Sequence, residues 1–261
     1  MPRAFSSTLI AVSIVVAVAS HAAAQERPAG CILDHCQDKL GPSADPWTGS
    51  PRPETPASDR AEVPSSVPAR VAPGAFDYYV LALSWSPGFC ASRGGSSRGG
   101  QCAPGAGLGF VVHGLWPQNE HGYPADCDGI PNPPRYALDQ ARGLYPDDGL
   151  ARYEWRKHGT CTGLAPTAYF GEVRRARALV TIPPALADAR EPQRTSPADI
   201  QRAFLAANPR LRPGMMAVGC AGGALQEVRV CMTKDLRDFR PCPEVARQTC
   251  RAGSISVPPM M

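Results

Sequence analysis

Residues Phe110–Pro117 of this 261-residue chain read FVVHGLWP, and the rest of the fold can be inferred outward from them. The branched and aromatic residues of this stretch predict a buried strand over 108–115. A similar run, YYVLALSW at 78–85, lies between two Pro-Gly pairs and predicts another strand. His113 would then lie near the end of its strand, where a rigid frame positions functional side chains.

A second stretch, YEWRKHGTC at Tyr153–Cys161, contains a histidine, a carboxylate, a lysine and a cysteine. We predict a helix over 148–158, in which residues four apart lie on one face. Glu154 and His158 have that spacing, and Lys157 is close to the same face. The two stretches together present two histidines, the residues whose ordinary pKa allows proton transfer near neutral pH.

The rest of the folded part mixes helices and strands without strict alternation. Helices are predicted over 167–180 and 196–208, the second with proline at its first helical position. Strands are predicted over 215–220 and 225–232. In the latter, apolar residues alternate with polar ones such as Arg229, as in a half-exposed strand. This mixture favours an α+β fold over a parallel α/β sheet.

The N-terminal part is predicted to lie outside the folded domain, which would cover 74–261. An apolar run over 9–19 precedes three alanines, as in a secretory signal peptide of residues 1–24. A membrane helix is the alternative, but the run is too short to span a bilayer. Residues 25–73 are rich in proline and poor in large apolar residues, which predicts an extended tether.

The ten cysteines indicate an exported, disulfide-bonded protein, because their number is even and exported proteins keep disulfides. A metal site at Cys31, His35 and Cys36 is the alternative, since these residues are neighbours. Zinc sites usually combine two paired ligand clusters, and no second cluster is close in sequence. We therefore predict that Cys31 and Cys36 close a small disulfide loop at the start of the tether.

Taken singly, each histidine stretch has a plainer interpretation. A lone histidine on a strand is most often a buried, hydrogen-bonded core residue, and a Trp-Pro pair is most often a packing corner. A metal site formed by His113, His121 and His158 is another alternative, but their spacing matches no common zinc pattern. A cysteine–histidine nucleophile pair would need a free thiol, which ten paired cysteines would not leave.

The joint content of the two stretches favours RNA cleavage. RNA carries its own nucleophile, the 2′-hydroxyl. Cleavage needs a base for that proton, an acid for the leaving 5′-oxygen and positive charge at the phosphate. Two histidines, Lys157 and Glu154 supply these groups without a cofactor or metal ion, and DNA, which lacks the 2′-hydroxyl, would not be cleaved. The formal charge of +4 helps a polyanion to approach but does not identify one.

HGLWP at 113–117 and EWRKHGTC at 154–161 resemble the two active-site segments of the ribonuclease T2 family. The resemblance covers about 76–250. Residues 76–90 resemble the family's first strand, and AYFG at 168–171 is similar to a helix start of the Gram-negative, ribonuclease I-like branch. It implies an α+β fold with a central antiparallel sheet flanked by helices and stapled by disulfides. It also implies a metal-independent endonuclease that cleaves single-stranded RNA to 2′,3′-cyclic phosphate ends, with low base specificity.

By position, the resemblance makes His158 the base for the 2′-hydroxyl and His113 the acid for the leaving oxygen. Glu154 and Lys157 would stabilise the pentacoordinate phosphorane. The rings of Trp116 and Tyr123 would stack on bases. The side chains of Tyr153 and Gln118 would also contact the substrate.

Two of these positions depart from family patterns. Tyr153 stands where most members have a histidine that touches phosphate, and a phenol brings no positive charge. Phosphate binding would then be weaker or would depend on Lys157 and Arg156. Gln118 stands where some fungal members have an aspartate that reads adenine, so the resemblance predicts no particular base.

The resemblance also implies a disulfide pairing and a compartment. The pairs would be Cys90–Cys102, Cys127–Cys161, Cys220–Cys250 and Cys231–Cys242, which leaves Cys31 to Cys36. We expect a periplasmic or secreted monomer that binds RNA and has no membrane span. Two rival functions stay open: a binding or effector protein that keeps the fold without the activity, and a metal-dependent phosphodiesterase.

Overall fold

The computed structural model describes residues 72–92 and 100–260. The predicted signal peptide, all but the end of the predicted tether and the predicted Cys31–Cys36 bridge lie outside the described residues. The elements of the described part are β1 (Tyr78–Trp85), α1 (Ser86–Ser92), β2 (Phe110–Gln118), α2 (Arg135–Ala141), α3 (Asp148–Lys157), α4 (Pro166–Ala178), α5 (Pro184–Ala187), β3 (Gln193–Thr195), α6 (Pro197–Ala207), β4 (Met216–Ala221), β5 (Ala224–Thr233), α7 (Pro243–Ala246) and β6 (Ile255–Val257). Within these ranges, no helix combines the length and the apolar character needed to cross a membrane.

The described strands form one six-stranded sheet in which β1 lies next to the edge strand β2. β1 pairs antiparallel with β2 on one side and with β5 on the other. β4 pairs antiparallel with β5, and β3 with β6, whereas β5 and β6 meet in parallel. The α+β class, with a mainly antiparallel sheet and flanking helices, is therefore confirmed.

The sheet is buried on both faces. Leu81 and Leu83 of β1 point into the larger hydrophobic cluster, to which helices α2, α3, α4 and α6 contribute side chains. Val80 and Ala82 alternate with them and point into a smaller cluster. The prediction of a half-exposed strand over 225–232 is wrong, because β5 lies between β1 and β4 and both of its faces are covered.

β2 differs from its predicted extent because its pairing with β1 continues to Gln118, opposite Tyr78. The strand begins two residues later than predicted and ends three residues later. His113 therefore lies inside the strand and not near its end. The edge position of β2 explains why Pro117 is tolerated in it, since an edge strand need not donate every backbone N–H.

The predicted helices form nearly where their capping signals place them. Asp147 caps α3 by accepting the backbone N–H of Leu150, and the helix extends to Lys157. Ser196 and Asp199 form a reciprocal capping box at the start of α6. Such boxes satisfy backbone donors that would otherwise lack a partner at a helix start.

Four disulfides join the eight cysteines of the described ranges, with the pairing that the family resemblance implied. They are Cys90–Cys102, Cys127–Cys161, Cys220–Cys250 and Cys231–Cys242. The second of these links the segment after β2 to the end of α3. It therefore ties together the two stretches that carry the histidines.

Candidate active site

A β-bulge at His113 brings the first histidine and its neighbouring tryptophan to the same face of the sheet. Ala82 pairs with Gly114 and Leu83 pairs with Val112, so His113 is the extra residue of β2. In a regular strand, His113 and Trp116 would point to opposite faces, because they are three residues apart. The bulge changes that alternation, and the two rings meet edge to face with their centroids 5.2 Å apart.

Two carboxylates flank the His113 imidazole. Its Nδ1 lies 2.7 Å from Oε2 of Glu227, and its Nε2 lies 3.5 Å from Oε1 of Glu154. Burial lowers the pKa of His113, but the two carboxylates outweigh burial and the net effect is a raised pKa. The geometry therefore favours a protonated imidazole at His113.

Glu227 is a site residue that the sequence patterns did not reveal. Its side chain is fully buried on β5, and its Oε1 accepts a hydrogen bond of 2.6 Å from Nε of Arg229. Burial raises the pKa of this carboxyl, whereas Arg229 and His113 lower it, and the net effect is a lowered pKa. A glutamate two residues before an arginine, inside a strand rich in apolar residues, is the signal that could have indicated it.

Trp116 connects the two histidines. Its indole N–H donates to Oε2 of Glu154 over 2.8 Å. The ring centroid lies 5.3 Å from that of His158, with the planes inclined by 35°. The guanidinium of Arg229 lies 5.0 Å from the same indole. Trp116 is only 6% exposed, so most of its surface is already in contact with protein.

Gly114 lets these groups approach one another. A methyl group at its Cα would overlap the Glu154 carboxylate and the Trp116 indole. No larger residue fits there without moving one of the two side chains. The glycine of the HGLWP stretch is thus required by close packing between β2 and α3.

The second histidine lies where α3 ends. His158 caps the helix, and its backbone N–H bonds to the carbonyl of Glu154 over 2.9 Å. The Cys127–Cys161 disulfide and a bond from the Asp126 N–H to the Lys157 carbonyl, 2.8 Å long, hold this end of the helix against the preceding loop. The position of His158 thus depends on local helix geometry and on one covalent link.

Lys157 and Tyr153 pair with each other on α3, as residues four apart do. The ammonium of Lys157 lies 5.8 Å from the centre of the Tyr153 ring. Both side chains are half-buried, and the hydroxyl oxygen of Tyr153 is enclosed by protein. The Lys157 ammonium thus lies against the Tyr153 ring, one helical turn further along α3.

A small cleft opens beside Trp116. It is lined by Val80, Trp116, Gln118, Tyr123, His158, Arg229, Val245 and Gln248. Tyr123 is its most exposed aromatic ring, with 51% of the residue accessible, and its centroid lies 6.3 Å from that of His158. Gln118 is buried, and its amide donates to the Gly122 carbonyl over 2.9 Å. Gln118 therefore holds the loop that carries Tyr123.

Two further side chains, those of His121 and Trp155, do not line the cleft. His121 is exposed on the loop after β2 and does not line the cleft with His158. Trp155 packs in the larger cluster and donates to the Ile130 carbonyl over 2.6 Å. Across the described ranges, no three His, Cys, Asp or Glu side chains are grouped so that they could hold a metal ion.

The ribonuclease T2 family model matches residues 76–242, which include both histidine stretches, and the chain belongs to that family. A ribonuclease of Aeromonas hydrophila is 48% identical over 39% of this chain and 45% of its own length. Ribonuclease I of Escherichia coli is 33% identical over 39% of this chain and 53% of its own length. These relatives support the Gram-negative, ribonuclease I-like branch. This chain aligns with less than half the length of the Aeromonas protein.

Solved structures with the same fold cover most of the described domain. RNase NT, solved with 5′-AMP, matches with a TM-score of 0.59 at 23% identity, over 70% of this chain and 98% of its own. An RNase-related protein from Calystegia sepium matches with a TM-score of 0.57 at 24% identity, over 71% of this chain and 98% of its own. At this level of identity the likeness establishes the fold.

Proposed function

We propose that this protein is an endoribonuclease that cleaves single-stranded RNA by metal-independent transesterification, with low base specificity. The observation that carries the proposal is the contact of two imidazoles, His113 and His158, with one indole. The two rings have different surroundings, since His113 lies between two carboxylates and His158 faces the cleft. Unequal surroundings suit one acid and one base.

In the proposed reaction, His158 removes the proton of the 2′-hydroxyl, and the 2′-oxygen attacks the adjacent phosphorus. The bond from phosphorus to the 5′-oxygen breaks, and His113 protonates that oxygen. The products are a 2′,3′-cyclic phosphate and a free 5′-hydroxyl. His113 is suited to the acid role because its carboxylate neighbours raise its pKa and keep the proton available.

Charge at the phosphate would come from Lys157, with Arg229 as a second cation in the wall of the cleft. Glu154 has two parts in this proposal, of which contact with the phosphorane is only one. Its two oxygens face His113 and the Trp116 indole N–H, so it also fixes the relative position of those rings. The preorganised charges would stabilise the phosphorane without rearrangement during the reaction.

Base binding is assigned to the cleft. Tyr123 offers the exposed ring, and stacking on an aromatic side chain is tolerant of base identity. The prediction that Trp116 stacks on a base stays a prediction, and its limited exposure favours Tyr123 as the main platform. Because Gln118 donates to the loop backbone, we propose that it acts on base binding through Tyr123.

The test is incubation of the full-length protein with a defined oligoribonucleotide in the presence of EDTA, followed by identification of the product ends. We expect 2′,3′-cyclic phosphates, and no cleavage at a position where a single 2′-deoxynucleotide is placed. Cleavage abolished by the chelator would support a metal-dependent phosphodiesterase instead. A folded protein that binds the oligonucleotide without cleaving it would support the binding-protein alternative.

The location of the protein is a second proposal, a periplasmic or secreted monomer without a membrane span. Four disulfides in the described domain support an oxidising compartment. Fractionation of cells that express the full chain, with N-terminal sequencing of the mature protein, tests this. Cleavage near residue 24 is the expected result, and an uncleaved cytoplasmic protein would contradict it.

A further inference from the structure

Five side chains of the site form a closed ring of contacts. Arg229 donates to Glu227, Glu227 meets Nδ1 of His113, and Nε2 of His113 faces Glu154. Glu154 accepts the indole N–H of Trp116, whose ring faces the Arg229 guanidinium. The proposed reaction gives Glu227 no role, and it gives Arg229 a role only as a cation in the wall of the cleft.

Charge counting explains why this ring is stable inside the protein. Two carboxylates face one guanidinium, so the buried group carries a net charge of minus one when His113 is neutral. Protonation of His113 brings the sum to zero, and buried charges are tolerated when they are paired and hydrogen-bonded. The groups that face His113 come from β5 (Glu227 and Arg229), from α3 (Glu154) and, across Trp116, from His158.

The two ring nitrogens of His113 are held differently. The contact of Nδ1 with Glu227 is short, at 2.7 Å, whereas that of Nε2 with Glu154 is long, at 3.5 Å. A short charge-assisted bond fixes the ring and keeps its proton, while the long contact leaves the opposite proton easier to transfer. Because Glu227 holds the proton on Nδ1, the proton that His113 can transfer is the one on Nε2.

We propose that Glu227 is a positioning residue for the acid step, which holds His113 as an imidazolium with its Nε2 proton directed toward the leaving oxygen. Arg229 has the opposite effect on the same step, because its positive charge offsets the negative charge of Glu227 and so makes the protonated form of His113 less favourable. This inference rests on the proposed function and adds two residues to it. Neither residue needs to touch the substrate for this role.

The central experiment compares Glu227→Gln on two substrates. A dinucleoside phosphate has a poor leaving group that needs protonation, whereas a nucleoside 3′-(4-nitrophenyl phosphate) releases a stable phenolate without it. We expect kcat on the first to fall about 100-fold and kcat on the second to fall less than about 5-fold. Equal losses on the two substrates would overturn the positioning role.

The pH profile supplies a readout that a purely structural role would not move. Removing the negative charge of Glu227 lowers the pKa of His113, so the alkaline limb of kcat/KM should move to lower pH in Glu227→Gln. Removing the positive charge in Arg229→Gln should move that limb to higher pH. Shifts of the same sign in both variants, or no shift in either, would contradict the proposal.

Gln226→Leu is the matched control. Gln226 is the neighbouring residue of β5, is equally buried, and donates to the Gly88 carbonyl over 2.7 Å on the opposite face of the strand. This variant should lose stability without any shift of the alkaline limb and without a difference between the two substrates. If it reproduces the pattern of Glu227→Gln, the effect comes from weakening β5 in general.

A direct measurement on the unaltered protein covers the case in which Glu227→Gln does not fold. NMR titration of the histidine Cε1 resonances, assigned with His113→Ala and His158→Ala, should show His113 titrating above the ordinary value of about 6.5. Titration at or below that value would overturn the inference. If the unaltered protein titrates as expected but forms no cyclic phosphate, the proposed function fails and the ring itself stands.

Discussion

His113 and His158 contact the same indole, yet the chain holds them in different ways. His113 is positioned by the sheet, through a bulge in β2 and a carboxylate 114 positions further along the chain. His158 is positioned by the end of one helix and by a disulfide that closes a separation of 34 residues. The surroundings of His113 are thus built from long-range contacts, and those of His158 are built mainly from local ones.

The two histidines should therefore be sensitive to different changes. At His113, strand register sets the orientation of the ring, and charge sets its protonation, because Glu227 and Glu154 are both buried with it. At His158, backbone geometry and the disulfide decide where the ring lies. Substitutions at either histidine or at the disulfide perturb one of the two sides, whereas Gly114→Ala perturbs the contact between them.

The largest effects are expected from His113→Ala and His158→Ala. Each should lower kcat/KM on a dinucleoside phosphate about 10²- to 10⁴-fold, the usual contribution of a positioned proton-transfer group. The nitrophenyl ester should separate the two sides, since it needs a base but no acid. His113→Ala should therefore retain most activity on the ester, and His158→Ala should not.

His121→Ala is the control for these two variants, because His121 is exposed on the loop after β2. Its activity on both substrates should stay within about twofold of the parent, as is usual for a surface substitution that removes no buried contact. Near-normal turnover in His113→Ala or His158→Ala would show that the acid–base assignment is wrong.

Gly114→Ala should have the next largest effect, because it pushes apart β2, which carries His113, and α3, at whose end His158 lies. The added methyl overlaps the Glu154 carboxylate and the Trp116 indole. We expect a loss of about 100-fold in kcat, the scale of a displacement of about 1 Å in a catalytic group. Steady-state kinetics measures the loss of kcat, and a thermal unfolding curve measures the effect on stability.

Gly171→Ala provides the matched comparison, because a methyl group there meets nothing within 4 Å on the exposed side of α4. This change should leave kcat unaltered and raise stability by up to about 1 kcal/mol, since alanine favours a helix interior more than glycine does. If Gly114→Ala behaves in the same way, β2 and α3 are not as tightly packed as the structure has them.

Removal of the Cys127–Cys161 disulfide by two Cys→Ala substitutions should have a moderate effect, confined to the His158 side. Its 34-residue separation corresponds to about 4 kcal/mol of stability in the chain-entropy model. We also expect about a 10-fold loss of kcat, since the end of α3 is less well positioned. The pH at which the alkaline limb falls should not change.

The Cys90–Cys102 disulfide is the reference for this change, with a separation of 12 residues and about 3 kcal/mol in the same model. Its removal should cost similar stability with little loss of kcat under conditions where the protein is folded. Equal losses of kcat in the two double variants would mean that the disulfide beside His158 has no special relation to catalysis.

The smallest effect is expected for Tyr153→His, on the helix face next to Lys157. A protonated imidazole would add a positive charge at acidic pH that the phenol lacks. The predicted result is a KM lower by about two- to fivefold below pH 6, the scale of one partly exposed charge interaction. An unchanged pH dependence of KM would sink this prediction, and Tyr153→Phe serves as the uncharged control.

Several features were predictable because they depend on neighbours in sequence. The strand over 78–85 was predicted with its observed bounds, and α3 and α6 were predicted to within a residue or so. Their signals are alternation, capping residues and proline positions, all of which act within a few residues. The pair Glu154 and His158 belongs to this class, since helical spacing alone places both on one face.

Other features required the packed structure because they join distant parts of the chain. The bulge at His113 is a matter of register between β1 and β2, and register depends on which residues of two strands find each other. Glu227 gave no catalytic signal, and its strand was expected to be half exposed. Its contact with His113 exists only because β5 pairs with β1 on the side opposite β2.

The kinds of groups present, their helical spacing and, through two family motifs, the family of the chain can all be read from the order of the residues. The face to which His113 points, the carboxylate that holds its Nδ1 and the lack of space for a side chain at Gly114 depend on how the chain packs. The two sets of features differ in the range of the interactions behind them. Propensity and capping act between neighbours, whereas burial, charge pairing and strand register act between residues that only folding brings together.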